Sequence, residues 1–140
     1  MLPRFVLRLV GTVLALTGVL GVSCLVSCLA QGLPSDILTT YATTKGACSG
    51  DPQKLVELAE NRITGPGFSC TLANGRPAGT GLVAYDGTCT VDGANTPGTI
   101  ALDLGNYSDH FKLLLPGRDG WISLYPCTPV GILESRRSSD

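Results

Sequence analysis

The sequence predicts an all-β domain, a small antiparallel meander closing into a barrel or sandwich, with two disulfides and a short helix as the alternative near residues 52–61. Three observations predict it. Between about residue 36 and residue 127 the chain is cut by turn residues into short stretches of alternating polarity. Four well-spread cysteines, Cys48, Cys70, Cys89 and Cys127, lie in that region. Ahead of it lies an apolar leader that directs the chain to a compartment where such cysteines oxidise.

The leader is read first because it changes the meaning of the rest. Arg4 and Arg8 precede a run from Leu9 to Ala30 that holds no charge and no amide side chain, the pattern of an export signal over residues 1–30. Cys28-Leu29-Ala30 before Gln31 places small residues at alternate positions, as signal peptidase requires. Leu25-Val26-Ser27-Cys28 also resembles a bacterial lipobox, which makes Cys28 a candidate for lipidation. Secretory cleavage ranks first, lipoprotein processing second and a retained anchor last. The expected location is the periplasm or the exterior, with a membrane contact only through the signal or a lipid on Cys28.

Beyond the leader, eight Lys and Arg stand against eleven Asp and Glu, a net charge of about −3. That balance lacks the basic stripe a nucleic-acid binder needs. Four cysteines permit three pairings. None forms a C-x-x-C, and His110 is the only histidine, so neither a zinc centre nor a thioredoxin-like centre is expected. No cofactor is expected either.

Taken in order, Asp36–Thr44 suits a first strand, with Ile37, Thr39 and Tyr41 on one side. Asp51-Pro52 reads as a helix cap and first helical position, and Leu55, Leu58 and Ala59 fall at helical spacing. The competing strand from Leu55 to Ala59, turning at Glu60-Asn61 into Arg62-Ile63-Thr64, keeps the meander continuous and is favoured. Phe68, Cys70 and Leu72 alternate with Ser69, Thr71 and Ala73 before Asn74-Gly75, the strongest short turn signal. Val83, Tyr85, Cys89 and Val91 share a parity that Asp86-Gly87 interrupts, which predicts a bulge near Gly87, and Asp92-Gly93 ends the run.

Ile100, Leu102 and Leu104 share one face, as do Phe111, Leu113 and Leu115. After the turn Pro116–Gly120, alternation puts Trp121, Ser123, Tyr125 and Cys127 on an inward parity. With Cys89 inward beside Tyr85, this predicts Cys89–Cys127, leaving Cys48–Cys70. Most of Tyr41, Phe68, Tyr85, Tyr107, Phe111, Trp121 and Tyr125 are expected in the core. The domain so defined runs over 31–129, and 130–140 reads as a flexible polar tail.

Tyr41-Ala42, Cys48, Val56-Glu57-Leu58, Ile63-Thr64-Gly65, Cys70, Cys89 and Tyr125-Pro126-Cys127 together resemble a family of small four-cysteine exported proteins of alphaproteobacteria, with Tyr41 where that family usually has Trp. The resemblance implies a β architecture and an envelope location, and it brings no catalytic residues.

Chemistry-bearing residues are sparse. Ser108, Asp109 and His110 are neighbours, and neighbours on a turn or strand are not expected to aim at one another as a triad requires. Gly79-Thr80-Gly81-Leu82-Val83-Ala84 matches a dinucleotide fingerprint in letters but lacks the following helix. The Asp residues at 36, 51, 86, 92, 109 and 119 sit at caps and turns, while Glu57, Glu60 and Asp103 read as solvent-facing. Asp86, Asp92 and Asp119 precede Gly without the spacing of a calcium loop. Asn106-Tyr107-Ser108 is a glycosylation sequon, inert in a bacterium.

The functional expectation is therefore a non-enzymatic envelope protein that binds an unidentified protein or envelope ligand, or plays a structural part. The alternatives are an inhibitor of a lysozyme or protease and, last, a small hydrolase. Arg76 and Arg118, in the stretches 74–81 and 116–120, are the candidate partner-binding residues.

Overall fold

The computed structural model describes residues 32–139; the export signal expected over residues 1–30 and the lipidation candidate Cys28 lie outside the described residues. Eight antiparallel strands, each paired with its neighbours in sequence, form a closed barrel: β1 Thr40–Ala42, β2 Leu55–Ala59, β3 Arg62–Gly65, β4 Phe68–Gly79, β5 Leu82–Val91, β6 Ala94–Asp103, β7 Phe111–Leu114 and β8 Ile122–Pro126. Closure comes from Tyr41 opposite Pro126 and Ala42 opposite Tyr125, extended by the Cys127 N–H donating to the Thr40 carbonyl at 3.0 Å. A barrel leaves no unpaired sheet edge between its first and last strands.

Eight strands enclose a space that side chains can fill, and here they fill it. Tyr41, Val56, Ile63, Cys70, Cys89, Ile100, Leu102, Phe111, Leu113 and Leu124 are fully buried, and Leu33, Ile37, Val130 and Leu133 join the same cluster. The outward positions of β3 to β6 are the reverse: Arg62, Thr64, Ser69, Thr71, Thr88, Thr90 and Asn95 are exposed. An apolar interior under a hydroxyl-rich exterior is the opposite of a barrel that faces lipid.

The strand reading of 55–65 holds. Asp51 does cap Pro52–Lys54, accepting from the Gln53 N–H at 2.9 Å, but this is a single 3-10 turn that runs into β2. Leu55–Ala59 then alternates in burial and pairs with both β1 and β3. The first strand is shorter than expected, because Ser35–Ile37 forms a 3-10 turn that swings Ile37 under the barrel, where the Tyr41 hydroxyl donates to the Ile37 carbonyl at 2.8 Å.

Four expectations are corrected. First, Asn74-Gly75 is not a turn. β4 runs on to Gly79 and the turn is Thr80-Gly81, so the irregularity lies in β4, with register shifts after Ala73 and after Pro77 and Asn74 at a φ of 53°. Gly87 stays in regular pairing with both Leu72 and Gly98. Its lack of a side chain admits Ile100 and the Thr71 backbone, which a Cβ would strike.

Second, the parity of β8 is inverted. Leu124 stands opposite Phe111 and Ile122 opposite Leu113, so these face the core, whereas Trp121 is 45 % exposed. A shift of one residue moves every side chain to the other face. Third, the disulfides are Cys48–Cys127 and Cys70–Cys89. Cys70 and Cys89 are directly opposed on β4 and β5 with Cα atoms 4.1 Å apart, the close spacing of a non-hydrogen-bonded antiparallel pair. Fourth, the segment expected to be a flexible tail contains α1, Gly131–Arg137, which turns Leu133 into the core behind Val130.

Candidate binding face on β7 and β8

The inverted parity of β8 creates the feature of most interest. Alternation along β8 places Trp121, Ser123 and Tyr125 outward, and the β7 register sets His110 and Lys112 beside them. Of the seven aromatic residues, most of which are expected in the core, Tyr41, Phe68, Tyr85 and Phe111 are buried there. The other three, Tyr107, Trp121 and Tyr125, all lie on this outer side.

Four chain segments build its upper part. His110 is stacked between Tyr107 and Tyr125, with ring centroids at 4.4 and 5.0 Å. The Lys112 ammonium sits 4.5 Å from the Tyr107 ring centroid, a cation–π distance. From α1, the Arg136 guanidinium donates to the Tyr107 carbonyl at 3.1 Å. From the β1–β2 loop, Lys45 reaches Asp109 at 2.8 Å. That loop also carries Cys48, and its bridge to Cys127 at the end of β8 holds Lys45 over the cluster.

Asp109 binds on both oxygens. Its Oδ2 accepts from Lys45, and its Oδ1 lies 2.6 Å from His110 Nδ1. A carboxylate only accepts, so the Nδ1 nitrogen carries the proton and donates. The Lys45 hydrogen bond first, and the His110 one second, hold the Asp109 carboxyl down at about 2. The same contact raises the Lys45 ammonium. The expectation that neighbouring side chains would not meet fails here for a plain reason. Residues 105–110 form a loop ahead of β7, so side chains need not alternate, and His110 is nearly covered, with 14 % of its side chain exposed. Ser108 does not join the pair, and the three residues form no triad.

Lys45, Lys112, Arg136 and Arg137 gather around this face, with Asp109 among them, Asp103 opposite Lys112 on β6 and Glu134 beside the arginines on α1.

The two arginines singled out in the sequence have different fates. Arg76 is on β4 rather than a loop tip, and its guanidinium pairs with Asp86 at 2.8 Å, which draws the Asp86 carboxyl below its usual range. Arg118 does sit in an exposed loop, between β7 and β8, turned over the barrel end with its guanidinium carbon 5.8 Å from the Phe68 ring centroid. That loop rests on β6, since Pro116 packs on Gly98 and Gly117, at a φ of 80°, packs on Thr96. Gly79 and Gly81 serve the β4–β5 turn, where Gly81 meets Gly105 backbone to backbone. The aromatic face itself was missed because Trp and Tyr on a strand are assigned to the core by default; the competing claim of Leu124 and Ile122 to that core was the usable signal.

Compared with known proteins, the chain matches no family model, no curated protein and no solved structure.

Proposed function

We propose that this protein is an exported, non-enzymatic binding module that engages a carboxylate-bearing protein surface through the outer face of β7 and β8. The observation that carries the reading is the segregation of Tyr107, Trp121 and Tyr125, with Lys45, Lys112 and Arg136, onto one side of an otherwise hydroxyl-rich barrel. Tyr, Trp and Arg dominate the energetics of protein interfaces. Two intramolecular disulfides accord with an oxidising location outside the cytoplasm. The barrel interior is occupied by side chains, so binding belongs on the outside.

The test is capture from an envelope extract by the natural protein and by two variants. Trp121→Ala with Lys112→Glu is expected to lose the captured partner by tenfold or more, and Thr71→Ala with Thr88→Ala, on the hydroxyl side, to retain it. Retention by the first variant and loss by the second would reject the proposal.

A second reading is favoured by the β7–β8 loop. Its seating on Gly98 and Thr96 presents Trp121 from a braced support, and a preorganised loop costs little to immobilise on binding. Inserted into a substrate cleft, such a loop inhibits a lysozyme or protease. Inhibition of either enzyme class, abolished by Trp121→Ala, distinguishes this reading.

A further inference from the structure

The outer side of β1, β2 and β3 carries a second feature, distinct in its residues from the aromatic face. In β2, Val56 and Leu58 are buried, so Leu55 and Glu57 point outward. The register sets Glu57 directly opposite Thr40 on one neighbouring strand and Thr64 on the other. Residues opposed across an antiparallel pair share a face; Glu57 and Thr64 are exposed on this one, and Thr40 is half-buried. The three side chains therefore stand in one row on one surface, a carboxylate between two hydroxyls, with their strands about 4.8 Å apart.

The row lies in a groove of about 470 Å³ that Leu55 also lines. Two turns complete the lining, and both are braced. Pro52 and Gln53 belong to the 3-10 turn that Asp51 caps, tied down by the Thr43 N–H donating to the Lys54 carbonyl at 2.8 Å. Pro66 and Gly67 belong to the β3–β4 turn, where the Phe68 ring packs on Gly65 and the Gly67 carbonyl accepts from the Asp92 N–H at 2.8 Å. A site whose walls are already fixed loses little freedom when it is filled.

Glu57 is the one charged residue of this lining, and among the described residues no salt bridge neutralises it. Arg62, one step along the same face opposite Ala59, and Lys54, next to Gln53, stand outside the lining. One carboxylate supplies too few ligands for a metal ion. Its complement is an organic cation. A primary ammonium has three donors and no acceptor, and here it meets a carboxylate flanked by two hydroxyl acceptors. Leu55, Pro52 and Pro66 offer apolar surface for an alkyl stem, the part of such a cation that gains from leaving water.

We infer that this groove binds a primary alkylammonium ion, its nitrogen on the Glu57 carboxylate between Thr40 and Thr64 and its stem along Leu55 and the two prolines. A free alkylamine and a lysine side chain share this chemistry.

The experiment titrates the disulfide-bonded protein with pentylamine and, in a second arm, with Nα-acetyl-lysine methylamide, while backbone amide shifts are followed by nuclear magnetic resonance. The expected result is saturable shifts at Gln53, Glu57 and Thr64. Glu57→Gln should weaken pentylamine about tenfold, the loss of a hydrogen bond to a charged group, and Thr64→Val, which keeps the shape and removes the hydroxyl, should weaken it less. Pentyltrimethylammonium, with the charge but no N–H donors, should bind more weakly than pentylamine. Glu60→Gln, exposed but outside the lining, should leave binding unchanged. Saturation by both probes includes lysine side chains among the ligands, saturation by pentylamine alone confines them to free amines, and either result supports the inference. Absence of saturable shifts at millimolar pentylamine, equal affinity of the natural protein and Glu57→Gln, an equal loss in Glu60→Gln, or equal affinity for pentanol would each overturn it. None of these outcomes bears on capture through β7 and β8.

Discussion

Asp109 and His110, consecutive in the chain, are hydrogen-bonded to each other at 2.6 Å, and the second oxygen of the same carboxylate holds Lys45. Because the folded Asp109 carboxyl sits at about 2, below an unfolded value of about 3.9, it stabilises the fold above the unfolded value. That contribution is lost as pH falls toward 2. Asp86, lowered by Arg76, adds to the same acid limb. Urea unfolding between pH 5 and about 2 should therefore show stability falling, and Asp109→Asn should flatten that fall. An unchanged acid limb in the variant would show that Asp109 is not the group responsible.

Leu124 and Trp121 measure the parity of β8. Leu124 is fully buried against Phe111, so Leu124→Ala should cost about 2–5 kcal/mol in denaturant unfolding. Trp121 is exposed, and Trp121→Ala should cost under about 0.5 kcal/mol. The reverse ranking would restore the parity read from the sequence.

Gly87 faces the interior between Tyr85 and Cys89, where a Cβ would strike the Thr71 backbone and Ile100. Backbone cannot step aside as a flexible side chain can, so Gly87→Ala should destabilise by about 1–3 kcal/mol, read from the thermal midpoint.

The two disulfides should differ in reactivity. Cys70 and Cys89 are sealed in the core, while Cys48 and Cys127 are partly exposed. A mild dithiol should open Cys48–Cys127 first, freeing the β1–β2 loop and Lys45, as alkylation and mass analysis of partly reduced protein would show. On the chain-entropy account the bridge spanning 79 residues contributes about 4 kcal/mol and the one spanning 19 about 3 kcal/mol.

Much of the barrel was legible in the residues. Ile100 and Leu102, Phe111 and Leu113, and Phe68, Cys70 and Leu72 all bury the side that alternation assigns them. Local signals misled where tertiary pairing outweighed them. Asn74-Gly75 is a strong turn pair, yet β5 continues alongside it and absorbs Asn74 as an irregularity. Trp121, just ahead of β8, and Tyr125 within it are the larger side chains there, yet Leu124 and Ile122 complete a core already holding Tyr41, Phe111 and Phe68. The cysteine pairing followed from that parity and failed with it. Nothing in 131–137 announces a helix whose Leu133 seals the barrel, since two adjacent apolar residues, Ile132 and Leu133, in a short segment carry no period. Of the candidate site, Lys45 and Tyr107 were invisible because only Cys48–Cys127 and the loop before β7 bring them to His110.

The proposed binding face depends on Cys48–Cys127, so the pairing is the point to test. Trypsin, which does not cut Arg76-Pro77, leaves Cys48 on the peptide 46–54, Cys70 and Cys89 together on 63–112, and Cys127 on 119–136. A non-reducing digest of the denatured protein is predicted to yield 46–54 linked to 119–136, and 63–112 alone with an internal bridge. A single species joining all three peptides, as either other full pairing requires, would contradict the structure and the site built on it.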